Sequence, residues 1–194
     1  MSLQGTIQQV FNIAGFSFGS NVTKTATGAI APQSVALNLG KVGTISSGPA
    51  TLAADHGITT GQIADVYFSA GIRYGCTVGT VSGTSVPLTS GAGTALPSSG
   101  AVTLCVQTVI DVDFASSKLE MIAIQCDAAG HVNITDNSDA SLLAVALDAG
   151  AAWSSVKNTG WVDPIGGAVG KVKASTSSAT GATLVVAGLY DSTT

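Results

Sequence analysis

Short runs of alternating apolar and polar residues, separated by glycine, proline, serine and asparagine, make up most of the chain. Between Gly5 and Phe18 the apolar positions are Ile7, Val10, Phe11, Ile13, Phe16 and Phe18, and a strand is expected to open the fold there. Val35, Leu37, Leu39, Val42 and Ile45 follow, interrupted by Gly40 and Gly43 in the manner of a hairpin or bulge. Ile63, Val66 and Phe68, then Tyr74, Cys76, Val78 and Val81, read as two partner strands broken by Gly61, Gly71 and Ser82-Gly83, with Val86 to Leu88 a third. Val102, Leu104 and Val106 lead, after a change of phase, to Val112 and Phe114. Met121 to Cys126 and His131 to Thr135 flank Asp127-Ala128-Ala129-Gly130, a four-residue turn, and Val169 to Lys173 and Thr183 to Tyr190 close the series.

Leu142 to Ala152 is rich in alanine and leucine, which favour a helix. Leu143, Val145 and Leu147 nevertheless alternate with Ala144, Ala146 and Asp148, so a strand with its bulky residues on one face fits at least as well. The expected fold class is therefore all-β: a β-sandwich of jelly-roll-like character with an inserted small β-barrel or meander. Ser46-Ser47-Gly48-Pro49 and the stretch Ser90 to Gly100 supply turn chemistry on either side of the insertion. Residues 50–104 are thus expected to form the barrel, and residues 1–49 with 105–194 the sandwich. No internal repeat has a fixed period, which argues against a solenoid.

Composition sharpens this picture. Charged residues are 9% of the 194, against about 25% in an average soluble domain, so the outside must be neutral and hydroxyl-rich. A surface so weakly protected by charge is expected to be covered by partners, either further copies of the chain or other components of an assembly. The seven basic residues are scattered and the net charge is -4, so no footprint for nucleic-acid phosphates exists. No apolar run reaches the length of a membrane span, and MSLQGTIQQV lacks the plan of a secretory signal. Cys76, Cys105 and Cys126 have no CxxC spacing, and buried free thiols in strands are expected.

The candidate chemistry is sparse. Asp55-His56 is a titratable pair in a glycine-flanked loop, but no GxSxG elbow accompanies it, and a hydrogen bond to the turn is the simpler role. His131 follows Gly130 and reads as a surface or turn histidine. Asp127, Asp136 and Asp139 with Asn133 and Asn137 form the densest oxygen-ligand region, yet the spacing of a calcium loop is missing and Asx turns account for them. Gly91 to Leu96 begins like a dinucleotide fingerprint and loses its last glycine. No enzyme, cofactor or metal is expected. Tyr67, Tyr74, Trp153 and Trp161 could stack on a glycan, but anchoring a subunit interface together with Arg73 is the favoured role.

The run HGITTGQIADVYFSAGIRYGCTVGTVSGTSVPL, with a GQ-x-x-DVY strand followed by RYG-x-TV-x-x-V-x-G, resembles a small barrel of tailed-bacteriophage virion structural proteins. The segment from Trp153 to Thr193 is similar to the closing strands of phage sandwich domains, and together the two cover about half the chain. The resemblance implies a non-enzymatic particle component: a capsid decoration or cement protein that binds between major capsid subunits. It would be a homo-oligomer on the virion surface, assembled in the host cytoplasm. A tail or baseplate accessory protein and a carbohydrate-binding or adhesin module are the alternatives.

Overall fold

The computed structural model describes residues 3–13, 16–26, 28–111, 119–136, 138–156 and 170–190. Seventeen strands follow one another among the described residues. They are β1 (Leu3–Ile13), β2 (Phe16–Ala26), β3 (Gly28–Ala36), β4 (Lys41–Ser46), β5 (Ala50–Leu52) and β6 (Ile63–Phe68). Next come β7 (Gly71–Val78), β8 (Ser85–Val86), β9 (Leu88–Gly93), β10 (Ser99–Val106), β11 (Thr108–Asp111) and β12 (Leu119–Cys126). The series ends with β13 (Gly130–Thr135), β14 (Ser141–Leu147), β15 (Ala152–Val156), β16 (Lys171–Thr176) and β17 (Thr183–Tyr190). The described chain is all-β, as its alternation requires, and Leu143, Val145 and Leu147 lie on a strand rather than a helix.

Eight of these strands form the sandwich. One sheet has the order β3-β17-β12-β15 and the other β11-β16-β13-β14, every pairing antiparallel. Numbered by their own sequence, the eight run 1-8-3-6 in one sheet and 2-7-4-5 in the other, which is the jelly-roll order. Period-2 alternation drives the packing: in β12, Ile122, Ile124 and Cys126 are buried between the sheets while Ala123 and Gln125 are exposed. Leu184 and Val186 from β17 meet Val132, Ile134 and Val172 of the other sheet in this core.

Between the first and second jelly-roll strands the chain makes a second body. Its seven-stranded sheet has the order β8-β5-β4-β10-β6-β7-β9, and the two strands at its ends are separated in sequence only by Pro87. The sheet must therefore curl until its ends meet on one stretch of chain, where proline, lacking an N–H, breaks the ladder. The Pro87 carbonyl still accepts from Gly79 N–H at 2.9 Å. Val66, Val78, Val86, Val102 and Leu104 fill a core separate from that of the jelly roll. The curled sheet starts at Lys41, so the first chain crossing falls at residues 37–40, earlier than the turn Ser46 to Pro49 suggested.

One expected strand proves to be two. The alternation from Gly5 to Phe18 is a hairpin in which β1 pairs with β2 from Leu3↔Ala26 to Ile13↔Phe16, forming a sheet of its own. Apolar residues on both sides of the reversal conceal it in the sequence.

The crossing segments are pinned on both sides. Leu37 N–H donates to Ala182 O at 2.8 Å and Gly40 N–H to Ser178 O at 2.9 Å, while Asn38 Nδ2 donates to Val106 O at 3.0 Å. Gly40 is buried where the bodies touch: a Cβ there would stand 2.7 Å from Thr103 Cγ2 and 2.9 Å from Ser177 O. Because one obstacle is backbone, the seam must open to admit even a methyl group. Gly40→Ala is expected to lower unfolding free energy by about 2 kcal/mol, read by urea titration, whereas Gly48→Ala, with open space around it, leaves it unchanged.

Candidate functional site

The densest polar cluster among the described residues lies between the two bodies, and its formation starts with a bulge. On β6, Ala64 opposes Cys76 and Val66 opposes Arg73, so one β6 residue, Asp65, faces two on β7, Tyr74 and Gly75. Gly75 takes φ +68°, a left-handed conformation that suits glycine in such a bulge, and its N–H donates to Asp65 Oδ1 at 2.8 Å. Ala64 and Val66 point into the barrel core, so Asp65 and Tyr67 point the other way, toward the jelly roll. There the β13–β16 register sets His131 directly opposite Ser175 on the outer face of their sheet.

These residues converge on one carboxyl group. Asp65 Oδ1 also accepts from Gln107 Nε2 at 2.7 Å, while Asp65 Oδ2 accepts from Ser175 Oγ at 2.5 Å and lies 3.2 Å from His131 Nδ1. Tyr67 Oη is 2.7 Å from Ser175 Oγ, and the Tyr74 ring stacks on His131 with centroids 4.5 Å apart and planes at 22°. Asp65 is 1% exposed, His131 4% and Ser175 0%. Burial pushes the Tyr67 phenol far above its usual value, with the Ser175 hydrogen bond opposing, so it remains a neutral hydroxyl.

Aspartate, histidine and serine thus meet, but without the connectivity of a nucleophilic triad. In a triad the serine bonds the histidine and the histidine bonds the acid. Here serine and histidine both bond the acid, and Ser175 Oγ has no path to solvent. The arrangement is a directional tie between two bodies. A second sulfur-centred tie lies beside it: Thr176 N–H points at Cys105 Sγ at 3.4 Å, and that thiol donates to Asn38 O at 3.1 Å.

The residues singled out from the sequence fall as follows. Tyr67 and Tyr74 belong to this internal tie. Arg73 faces the barrel rim, where Nε and Nη2 donate to Ser90 O at 3.0 and 2.8 Å and Nη2 to Gly91 O at 2.9 Å, bracing two residues of positive φ. Trp153 lies on β15 opposite Ile124, half-buried against the jelly-roll core. Trp161 lies outside the described residues. His131 is not the surface histidine its position after a turn suggested: Asp65 and Tyr74 of the barrel cover it, and all six residues of β13 are buried. Asp65 and Ser175 carried no local signal, since a polar residue between apolar neighbours on a strand reads as a solvent-facing one.

The remaining candidates serve turns. His56 Nδ1 accepts from Ile58 N–H at 3.0 Å and Nε2 lies 3.2 Å from Gly83 O, so it staples its own loop to the turn before β8. Asp136 Oδ1 accepts from Ser138 and Ala140 N–H, each at 2.8 Å, and Asp127 Oδ1 from Thr183 N–H at 2.7 Å. Asp139 Oδ1 pairs with Lys171 and Lys173 at 2.9 and 3.0 Å, bonds that hold its carboxyl below the usual range. All three cysteines are free and buried.

Compared with known proteins, the chain matches no protein-family description and no curated protein.

Two outcomes follow. Asp65→Ala leaves Gln107, Ser175, His131 and the Gly75 N–H without their acceptor, and is expected to cost about 3 kcal/mol in a urea titration and to split melting into separate barrel and jelly-roll transitions. Burial, opposed by Arg73, pushes the Cys76 thiol up from 9.0 to about 11, and burial likewise raises Cys105 and Cys126. A buried thiol that stays protonated longer than its unfolded form favours folding fully below pH 9 and loses that contribution as pH rises to about 11. Urea midpoints should therefore fall across that window, and less steeply in Cys76→Ala.

Proposed function

We propose that this chain is a non-enzymatic virion structural protein, of the capsid decoration or cement type, that binds between major capsid subunits. The observation that carries this reading is the β1–β2 hairpin. Each of its strands has eleven residues, roughly 37 Å at extended-strand rise, and they pair only with each other among the described strands. Their chief contact with the rest of the described chain is β2 against β12. A two-stranded ribbon alone is marginal in water, so one of this length is explained by a surface on a partner that receives it.

Two further features agree. The charge-poor composition suits burial against neutral neighbours, and electrostatic steering plays little part in such contacts. The jelly roll recurs in viral capsid and lectin domains, a likeness of fold that lends analogy only. The glycan reading has less support: Tyr67 and Tyr74 are committed to the internal tie and Trp153 leans on the core, so these three do not make an open stacking platform.

Pelleting with intact particles at a copy number fixed by capsid symmetry tests the proposal, and protein found only on tails or nowhere on the particle would sink it. Removal of residues 1–26 is expected to abolish pelleting while melting of the remaining body, monitored by circular dichroism, is retained.

A further inference from the structure

We propose that the recess beside Lys41 binds a small monocarboxylate, its charge met by the Lys41 ammonium and its short apolar tail by Leu39, Ile58 and Val106. The inference rests on this recess and not on the virion reading.

The recess has a volume of about 300 Å³ and lies where the first chain crossing passes the loop before β6. Sites for small molecules combine apolar walls with a few convergent polar groups. Leu39, Ile58 and Val106 supply the wall here, and Leu39, at 44% exposure, is among the few large apolar side chains of the described residues that stay open to solvent. Access is free on the side of Gly57, where an added Cβ would meet nothing within 4 Å. His56 shapes the recess without offering it a hydrogen atom. Its Nδ1 accepts from Ile58 N–H, which places the ring proton on Nε2, against Gly83 O.

Charge decides the class of ligand. Among the described basic side chains, Lys171 and Lys173 share Asp139 and Arg73 is held by the carbonyls of Ser90 and Gly91, whereas the half-buried Lys41 makes no ion pair and no hydrogen bond. No carboxylate lines the recess, so the ammonium has no counter-ion there. Gln62 adds a directed donor: its Oε1 is taken by Thr59 N–H at 2.9 Å, which leaves Nε2 without a partner among the described residues. One ammonium and one amide N–H₂ suit the two oxygens of a carboxylate. A dianion such as phosphate would bring a second charge that nothing in the wall meets. A partly enclosed wall also strengthens the ion pair, because less water screens it than on an open surface.

Amide NMR spectra of the purified full-length chain, titrated with sodium butyrate at constant ionic strength, test this without particles, so a negative result is distinct from failure of the capsid reading. Saturable shifts at the amides of Lys41, Gly57 and Gln62 are expected, with a dissociation constant on the order of millimolar for so small a guest. Butyrate should bind several-fold tighter than acetate, since each buried methylene is worth about fourfold. Butyramide, which keeps the tail and loses the charge, is expected to give no saturable shift. Lys41→Gln should weaken butyrate binding roughly tenfold with the rest of the spectrum retained. A short peptide with a free C-terminal carboxylate separates two sources of the same chemistry: binding tighter than butyrate assigns the recess to the end of a partner chain, and weaker or equal binding assigns it to a free organic acid. No saturable shift with butyrate overturns the proposal, as does an equal response to butyramide or undiminished binding in Lys41→Gln. The butyramide comparison uses the native chain, so the outcome stands even where the variant fails to fold.

Discussion

The arrangement of the molecule depends on a single buried carboxyl group. Taking Asp65 out of water is costly, and the cost is met only if donors arrive from several directions at once. They come from four places: the Gly75 N–H in the β7 bulge, Gln107 just beyond β10, Ser175 on β16 and His131 on β13. The first two belong to the barrel and its exit, the last two to the jelly roll. Apolar contact alone would let the two bodies slide or rotate over each other. A carboxyl group whose donors have fixed directions removes those freedoms, because small displacements leave a buried polar group unmatched.

This explains why two bodies with separate cores behave as one object. Neither core reaches the other: the valines and Leu104 of the barrel cluster among themselves, as do the isoleucines and valines of the sandwich. Between them runs a polar seam in which Asp65, Tyr67 and Cys105 from the barrel face His131, Ser175 and Thr176 from the jelly roll. The two chain crossings are stitched to each other and to the β16–β17 turn, and Gly40 lets Thr103 and Ser177 close over the first of them. Tight backbone approach and directional hydrogen bonds thus divide the task, the one setting distance and the other orientation.

What the sequence revealed follows from the range over which its signals act. Alternation is local, so Ile122-Ala123-Ile124-Gln125-Cys126 and Leu143-Ala144-Val145-Ala146-Leu147 could be read as strands, and with them the all-β class and the sandwich. Turn chemistry is also local, but it marks reversals and not which sheet a strand joins. Ser46 to Pro49 therefore looked like a boundary although β4 and β5 on either side of it pair with each other. The seam was illegible for a different reason. In His131-Val132-Asn133-Ile134-Thr135 the pattern shows one apolar face and one polar face, and polar normally means wet. Only the docking of a body nearly seventy positions away in sequence, through Asp65, makes the polar face an interior one. Gly75 in RYGCTV was the one local clue, a glycine interrupting an otherwise regular strand as bulges require.

The same reasoning bears on how so uncharged a chain stays folded to one structure. With few charges to discourage wrong pairings, specificity has to come from geometry. The barrel achieves it by curling its end strands onto the single stretch around Pro87, and the tie at Asp65 admits one docking orientation. What remains least tied to the rest among the described strands is the long β1–β2 hairpin, whose strands pair only with each other. Its outer edges are rows of backbone N–H and C=O groups that another strand can complete. Order within the chain is thus fixed by buried polar contacts, and the hairpin is the element that owes least to them.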